Sequence, residues 1–164
     1  MRLLTLLCLL LTLSVSARAA GLPENTNHLR GINHVYMNID TSMASDIRPA
    51  ERIDLSDIME LQLRRGNIQL RTYVMNEPDV NIPLVELVID TSSRIGASNF
   101  ELILRVRDHV TIDRNTQKTV ATTFEMRRRG TSSASKLEVD SVKMELRNLM
   151  ADFVTALQRA NPNR

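Results

Sequence analysis

The chain has 164 residues with no tryptophan and one cysteine, and its 21 lysines and arginines against 19 acidic residues give a net charge of +2. A chain of this length can bury the core of a single domain without help from disulfides. A nearly neutral chain lacks the broad positive field that attracts nucleic acids, and few aromatic rings are free to stack on bases or sugars. Composition therefore argues against nucleic-acid and sugar binding.

The N-terminus has the three parts of an export signal. Arg2 supplies the positive start, Leu3 to Val15 form an apolar run, and Ala17-Arg18-Ala19 is a small-x-small cleavage site. The run is about 13 residues and a bilayer requires about 20, which favours a cleaved signal over a retained anchor. We therefore expect residues 1–19 to be a signal peptide, Ala20 to begin the mature chain, and the protein to be periplasmic or secreted.

A leader and a strand open the mature chain. Residues 20–31 are polar, which predicts a flexible leader. Apolar and polar residues then alternate, which predicts a strand with Val35, Met37 and Ile39 on its buried face. Residues 41–49 have the composition of a loop.

A helix and a second strand come next. Apolar residues at helical spacing follow Asp54, which would be the N-cap of a helix over about 54–65. Gly66 stands where a left-handed C-cap belongs. The two-residue alternation then resumes over residues 68–74 and predicts the second strand.

Three more strands and a long helix complete the pattern. Residues 84–89 are nearly all apolar, as in the central strand of a sheet. Residues 102–112 and 120–126 alternate and flank a turn, which predicts a β-hairpin. After a polar segment over residues 130–135, apolar residues step by three or four from residue 139 to residue 157, which predicts a C-terminal helix.

The order of these elements predicts an α+β fold. It would be a two-layer sandwich, β-α-β-β-β-β-α, with a mixed, mostly antiparallel sheet of about five strands and two helices on one face. Residues 32–160 would form this single domain. Strands after the first β-α-β unit should form an antiparallel meander, and that unit should cross over right-handed if its strands are parallel neighbours.

The apolar pattern also fixes a register for the hairpin, in which paired residue numbers sum to 230. Leu104 then faces Met126 and Val110 faces Val120, so that apolar residues oppose each other along one face. A shift by one residue would place Leu104 opposite Glu125, which a buried face would not tolerate.

A cluster of arginines lies in the same hairpin and is the one candidate contact site. Its members are Arg105, Arg107, Arg127, Arg128 and Arg129. The predicted register sets Arg105 opposite Glu125 and Arg107 beside Thr123, which leaves a local excess of positive charge on the face away from the helices. The cluster would be either a solvated strand surface or a site for an acidic partner or anionic lipid head groups.

No motif for catalysis, a cofactor or a metal occurs. The three histidines lack the spacing of a zinc site, and Asp108 and His109 are strand neighbours that point to opposite faces. Signal cleavage would remove Cys8, there is no Gly-x-Ser-x-Gly elbow, and the glycines are scattered. We therefore expect no enzyme activity, no cofactor and no metal.

Two segments carry a resemblance to a known group of proteins. Residues 59–68, with the sequence MELQLRRGNI, run from a helix through glycine into a strand, and Asp152-Phe153-Val154 closes the last helix before Asn161-Pro162. The chain, over about residues 30–160, resembles exported bacterial envelope proteins whose α/β domain is similar to the N-terminal domain of TolB or to the lipopolysaccharide-assembly lipoprotein LptE. The resemblance implies a binding or assembly module and assigns no site residues. Unlike the lipoproteins, this chain has no cysteine at the expected mature N-terminus.

The leading functional hypothesis is a non-enzymatic, soluble periplasmic module that binds or assembles with another component of the envelope, a protein or a lipid. The alternative is an accessory that contacts lipid or another amphiphile between the helices and the sheet, and a third possibility is a hydrolase with a dispersed site. Membrane contact stays open, although no transmembrane segment is expected in the mature chain.

Overall fold

The computed structural model describes residues 26–73, 79–94, 97–132 and 137–162, so the predicted signal peptide lies outside the described residues. A 3-10 turn at Asn27–Leu29 precedes five strands and two α-helices. In chain order these are β1 (His34–Asp40), α1 (Pro49–Arg65), β2 (Gln69–Leu70), β3 (Leu84–Arg94), β4 (Ala97–Ile112), β5 (Gln117–Ser132) and α2 (Val139–Ala160). The predicted α+β class and element order are confirmed.

The five strands form one mixed sheet in the order β2-β1-β3-β4-β5. β1 is parallel to both of its neighbours, β2 and β3, whereas β3, β4 and β5 form an antiparallel meander. β3 is the central strand, as predicted. β2 does not join the meander because it pairs with β1, and it is shorter than the strand predicted over residues 68–74. After β2 the chain crosses β1, where Tyr73 packs edge-on against Tyr36 with ring centroids 5.2 Å apart.

Both helices pack on one face of the sheet and bury a single core. The core joins apolar side chains from both helices and from the sheet. The helices contribute Leu55, Met59 and Leu63 of α1 and Leu146, Leu149 and Phe153 of α2. The sheet contributes Val35, Ile39, Val85, Leu87, Leu102 and Leu104. The helices run in the same direction side by side. Near their N-termini, Lys143 Nζ donates to Asp54 Oδ2 at 2.7 Å, and near their C-termini Gly66 lies against Val154.

α1 begins at Pro49 and not at the predicted Asp54. Proline fits the first helical position because its φ is already helical and the N–H it lacks has no partner inside the helix. The backbone N–H of Arg48 donates to Glu51 Oε2 at 2.7 Å, which caps this end. Asp54 therefore lies within the helix, where it pairs with Lys143.

The left-handed residue after α1 is Asn67, with φ 57°, and not the predicted Gly66, whose φ is −79°. The N–H of Ile68 reaches back to the carbonyl of Leu63 at 2.9 Å and closes the helix end. Gly66 serves a different purpose, because a Cβ at this position would lie 2.8 Å from Cγ1 of Val154. Glycine here allows α1 and α2 to approach closely.

The packed domain begins before Ile32, within the predicted flexible leader. Leu29 is fully buried in the core. The side chain of Asn161, just after α2, holds this segment in place: its Nδ2 donates to the Leu29 carbonyl at 3.0 Å and its Oδ1 accepts from the Gly31 N–H at 2.7 Å. The sequence did not reveal this clamp because its two ends are far apart along the chain.

The predicted hairpin register is confirmed in the part of the hairpin away from the β4–β5 turn and is wrong in the part next to that turn. Leu104 pairs with Met126, but the register shifts between Val106 and Arg107, so that Val110 faces Thr119 and not Val120. Arg107 consequently pairs with Thr122 and not with Thr123. β3 begins at Leu84, opposite Arg107, so the part of the hairpin nearer the β4–β5 turn extends beyond the sheet, where no buried face enforces apolar pairing.

β5 continues through Gly130, which the sequence had placed in a connecting segment. Gly130 pairs with Phe100 across the hairpin. A Cβ at position 130 would lie 2.2 Å from Cζ of the Phe100 ring, so the ring occupies the space above this glycine. Gly130 therefore belongs to the strand and makes room for a core side chain.

Candidate functional site

The face of the sheet turned away from the helices is the candidate site, and we call it the outer face. Cross-strand partners share a face, so the outer face consists of rows that run across the strands. We call the side of the sheet nearest the β4–β5 turn the bottom and the opposite side the top. From bottom to top the rows are Tyr36-Leu84-Arg107, Asn38-Glu86-Arg105-Glu125, Asp40-Val88-Ile103-Arg127, Asp90-Glu101-Arg129 and Ser92-Asn99-Thr131. Within the described ranges, the segment after β2 reaches this face only near Tyr36, to whose hydroxyl the Asp79 N–H donates.

The outer-face arginines are all paired with glutamates. Arg105 Nε and Arg127 Nε donate to the two carboxylate oxygens of Glu125 at 2.9 and 2.7 Å. Arg127 also lies 3.6 Å from Glu101, and Arg129 Nε donates to Glu101 at 2.9 Å. These contacts make a continuous network of alternating charges.

Arg107 lies at the lower end of the same face and forms a separate pair. Its Nη1 is 3.5 Å from Glu86 Oε2. The other oxygen of Glu86 accepts a long contact of 3.4 Å from Asn38 Nδ2. The carboxylate of Glu86 thus joins β1, β3 and β4 across the outer face.

The local excess of positive charge expected on this face is absent from its rows. They contain four arginines against five carboxylates, those of Asp40, Glu86, Asp90, Glu101 and Glu125. The predicted excess came from the arginines of the hairpin alone, whereas β1 and β3 bring acidic residues beside them. These five rows therefore have a slight negative balance.

Arg128 is not part of the outer face. It shares the helix-covered face with Phe124 and Met126, and its guanidinium lies 3.5 Å from both Glu145 and Asp152 of α2. Strand alternation alone separates it from its neighbours in sequence. Arg128 attaches α2 to the edge of the sheet, and the predicted five-arginine cluster divides into four outer residues and one inner residue.

Glu125 is the centre of the charge network. Burial alone would raise the pKa of its carboxyl, but hydrogen bonds from Arg105 and Arg127, together with their charges, lower the pKa below its ordinary value. The carboxylate therefore stays ionised, and the two arginines stay paired.

A shallow groove of about 410 Å³ lies at the upper end of the outer face. It is lined by Asp90, Ser92, Asn99, Glu101, Arg129 and Thr131 and by the backbone around Phe100. Asp90 stands directly opposite Glu101, an arrangement of like charges that is unfavourable unless other groups compensate. Arg129 and Arg127 neutralise Glu101, whereas Asp90 has no ion-pair partner among the residues that the structure describes. Among the described residues, the groove therefore presents an exposed carboxylate, Asp90, without an ion-pair partner.

The remaining chemical groups do not assemble into a site in the described ranges. No cluster of three or more potential metal ligands is found there. His34 Nδ1 lies 2.7 Å from the side-chain oxygen of its neighbour Asn33. Asp108 accepts a hydrogen bond from the Thr123 hydroxyl at 2.5 Å, next to the register shift. None of the helices within these ranges is long and apolar enough to cross a membrane.

Comparison with known proteins gives similarity in structure and none in sequence. No protein-family model and no curated protein sequence matches the chain. The crystal structure of a minor lipoprotein from Acinetobacter baumannii is 12% identical with a TM-score of 0.37, over 81% of this chain and 94% of the lipoprotein. Because this TM-score is low, we infer nothing about this chain from the lipoprotein, and the resemblance to TolB- and LptE-like domains stays a prediction.

Proposed function

We propose that the protein is a non-enzymatic binding or assembly module of the bacterial cell envelope, exported to the periplasm, and that its outer face binds another envelope protein. The observation that carries the proposal is the groove at the upper end of this face. Within the described ranges its carboxylate Asp90 has no ion-pair partner, and it lies beside arginines whose charges are already neutralised. Such a surface suits a partner that brings a lysine or arginine to Asp90 and polar groups to the rest of the groove.

The charge pattern favours a protein partner over an anionic membrane surface. Attraction to anionic lipids requires unneutralised basic groups, and the four outer-face arginines whose side chains the structure describes each have a glutamate within 3.6 Å. The other lipid hypothesis places an amphiphile between the helices and the sheet. That space is filled by fully buried side chains such as Leu87, Leu104 and Phe153.

The test compares capture of envelope components by the parent protein and by two charge-reversal variants. The site variant is Asp90→Lys, which reverses the charge at the carboxylate that the partner's basic group would contact. The matched control is Asp57→Lys on α1, because Asp57 is also exposed and has no ion-pair partner among the residues that the structure describes. Each protein is cross-linked in living cells and purified, and its partners are separated on a gel and in an organic extract.

The proposal predicts a discrete protein partner with the parent and with Asp57→Lys, and loss of that partner with Asp90→Lys. Equal capture by all three proteins would place the contact elsewhere and contradict the proposal. A lipid in the organic extract without a protein band would favour the amphiphile hypothesis.

A further inference from the structure

We infer that two copies of this chain pair through the free edge of β5 and form one continuous sheet. β5 is the last strand of the sheet and runs from Gln117 to Ser132. β4 pairs with one edge of β5, and no element in the described ranges pairs with the other edge. A long strand edge of this kind presents a row of backbone donors and acceptors that another strand can satisfy. The inference does not rest on the proposed function.

The part of the edge available for pairing lies above the register shift. The extra residue near Thr123 bends the strand and interrupts regular pairing below it. Residues 124–132 pair with β4 without interruption. A second strand can therefore align with β5 along this upper stretch.

α2 leaves the edge accessible, because its two flanks have different neighbours. Lys143 and Val154 face α1, whereas Glu145 and Asp152 lie almost on the opposite side of the helix and contact Arg128 of β5. Arg128 thus rises along the flank of α2 that points away from α1. The axis of α2 consequently lies inward of β5, and the helix does not overhang the strand edge.

The charges of β5 select one register for a symmetric antiparallel pair. A twofold axis at Met126 places Glu125 of each copy opposite Arg127 of the other, twice, and brings the half-buried Met126 side chains together. An axis at Glu125 would place glutamates opposite each other. An axis at Arg127, Arg128 or Arg129 would place arginines opposite each other. Like charges directly opposed are unfavourable, so the axis at Met126 is the favoured register. The regular ladder is then residues 124–128, because residues 129–132 of each copy lie opposite residues 120–123 of the other, beyond the register shift.

The pairing that results has a definite geometry. Cross-strand partners share a face, so both pairs of helices lie on one side and both outer faces lie on the other. The two copies together form a ten-stranded sheet with the β5 strand of each copy at its centre. Arginines on an exposed strand edge normally discourage pairing with other strands. Here they would allow pairing only with a strand that places a glutamate opposite Arg127.

The test combines oligomeric mass with a cross-link at the axis, all in a Cys8→Ser background so that no other thiol is present. Sedimentation should give twice the monomer mass for the parent protein. Met126→Cys should form a disulfide-linked dimer on mild oxidation, because the two introduced thiols face each other at the axis. Thr131→Cys, exposed on the same strand but far from the axis, should remain monomeric under denaturing, non-reducing conditions.

Two charge reversals separate this interface from a general effect on folding. Arg127→Glu faces Glu125 of the partner copy and should yield monomers, whereas Arg129→Glu, on the same strand and face, should stay dimeric. A parent protein that is monomeric at every concentration would overturn the inference. A dimer that forms no disulfide in the Met126→Cys variant, or that persists in Arg127→Glu, would also overturn the inference. So would a monomeric protein whose β5 edge binds an acidic peptide. Asp90→Lys lies on β3, away from the β5 edge, so it should lose the envelope partner but keep the dimer. Failure of this inference and failure of the proposed function therefore give different results.

Discussion

The contact between Gly130 and Phe100 allows a quantitative test of how β4 and β5 pair. Gly130→Ala would place a Cβ 2.2, 2.6 and 2.8 Å from Cζ, Cε1 and Cε2 of the Phe100 ring. Carbon atoms pack at about 3.5–4.0 Å, so the ring would have to move by about 1.5 Å. Phe100 is only 3% exposed and has core side chains around it, so it has little room to move.

Opposing contributions set the size of the effect. Overpacking a filled core costs about 1–3 kcal/mol, and alanine is favoured over glycine inside a strand by about 0.5–1 kcal/mol. We therefore expect Gly130→Ala to lower the free energy of unfolding by about 1–2 kcal/mol. Phe100→Leu removes the ring atoms that cause the clash, so in that background Gly130→Ala should be neutral or stabilising by about 0.5–1 kcal/mol.

The assay is a double-mutant cycle measured by urea unfolding of the parent, both single variants and the double variant. We expect the two substitutions to be strongly non-additive. Gly130→Ala should lower the free energy of unfolding when Phe100 is present and should not lower it in the Phe100→Leu background. Additive effects, or a neutral Gly130→Ala in the parent, would show that the ring does not lie over Gly130. The pairing of Phe100 with Gly130 would then be wrong.

Further predictions concern the core, the charge network and export. Leu146→Ala or Leu149→Ala should each lower the free energy of unfolding by about 2–5 kcal/mol, because both side chains are buried, and parent-like melting of both variants would make α2 peripheral. The pKa of Glu125 is lowered from 4.5 in the fold, so the stability it contributes is complete above that pH and is lost as the pH falls through the lower folded value. Glu125→Gln should therefore flatten the acid side of the melting-temperature profile, and an unchanged profile would argue against the network. N-terminal sequencing of the exported protein should start at Ala20, whereas a product that starts at Met1 would restore the membrane-anchor alternative.

The elements with strong local patterns were predictable from the sequence. The apolar repeat of α2 is long and regular, and the structure places this helix at Val139–Ala160, close to the predicted span. The hairpin register was predictable where a buried face makes a shift costly, as at Leu104 and Met126. The inner position of Arg128 was also open to prediction, because it has the same parity along the strand as Phe124 and Met126.

Features that depend on distant parts of the chain were not predictable in the same way. The need for glycine at Gly66 comes from Val154 on another helix, and no local pattern reports that contact. The charge balance of the outer face depends on which acids β1 and β3 place beside the arginines. The isolation of Asp90, on which the candidate site depends, likewise becomes visible only when the strand order is known.

The central claim is that the outer face contacts an envelope protein, and site-specific photocross-linking in living cells tests it most directly. A photoreactive residue at Thr131, exposed in the groove, is compared with one at Asn148, exposed on α2. The account predicts a single protein adduct of defined mass from position 131 and none from position 148. An adduct from position 148 alone would place the contact on the helices and contradict the account.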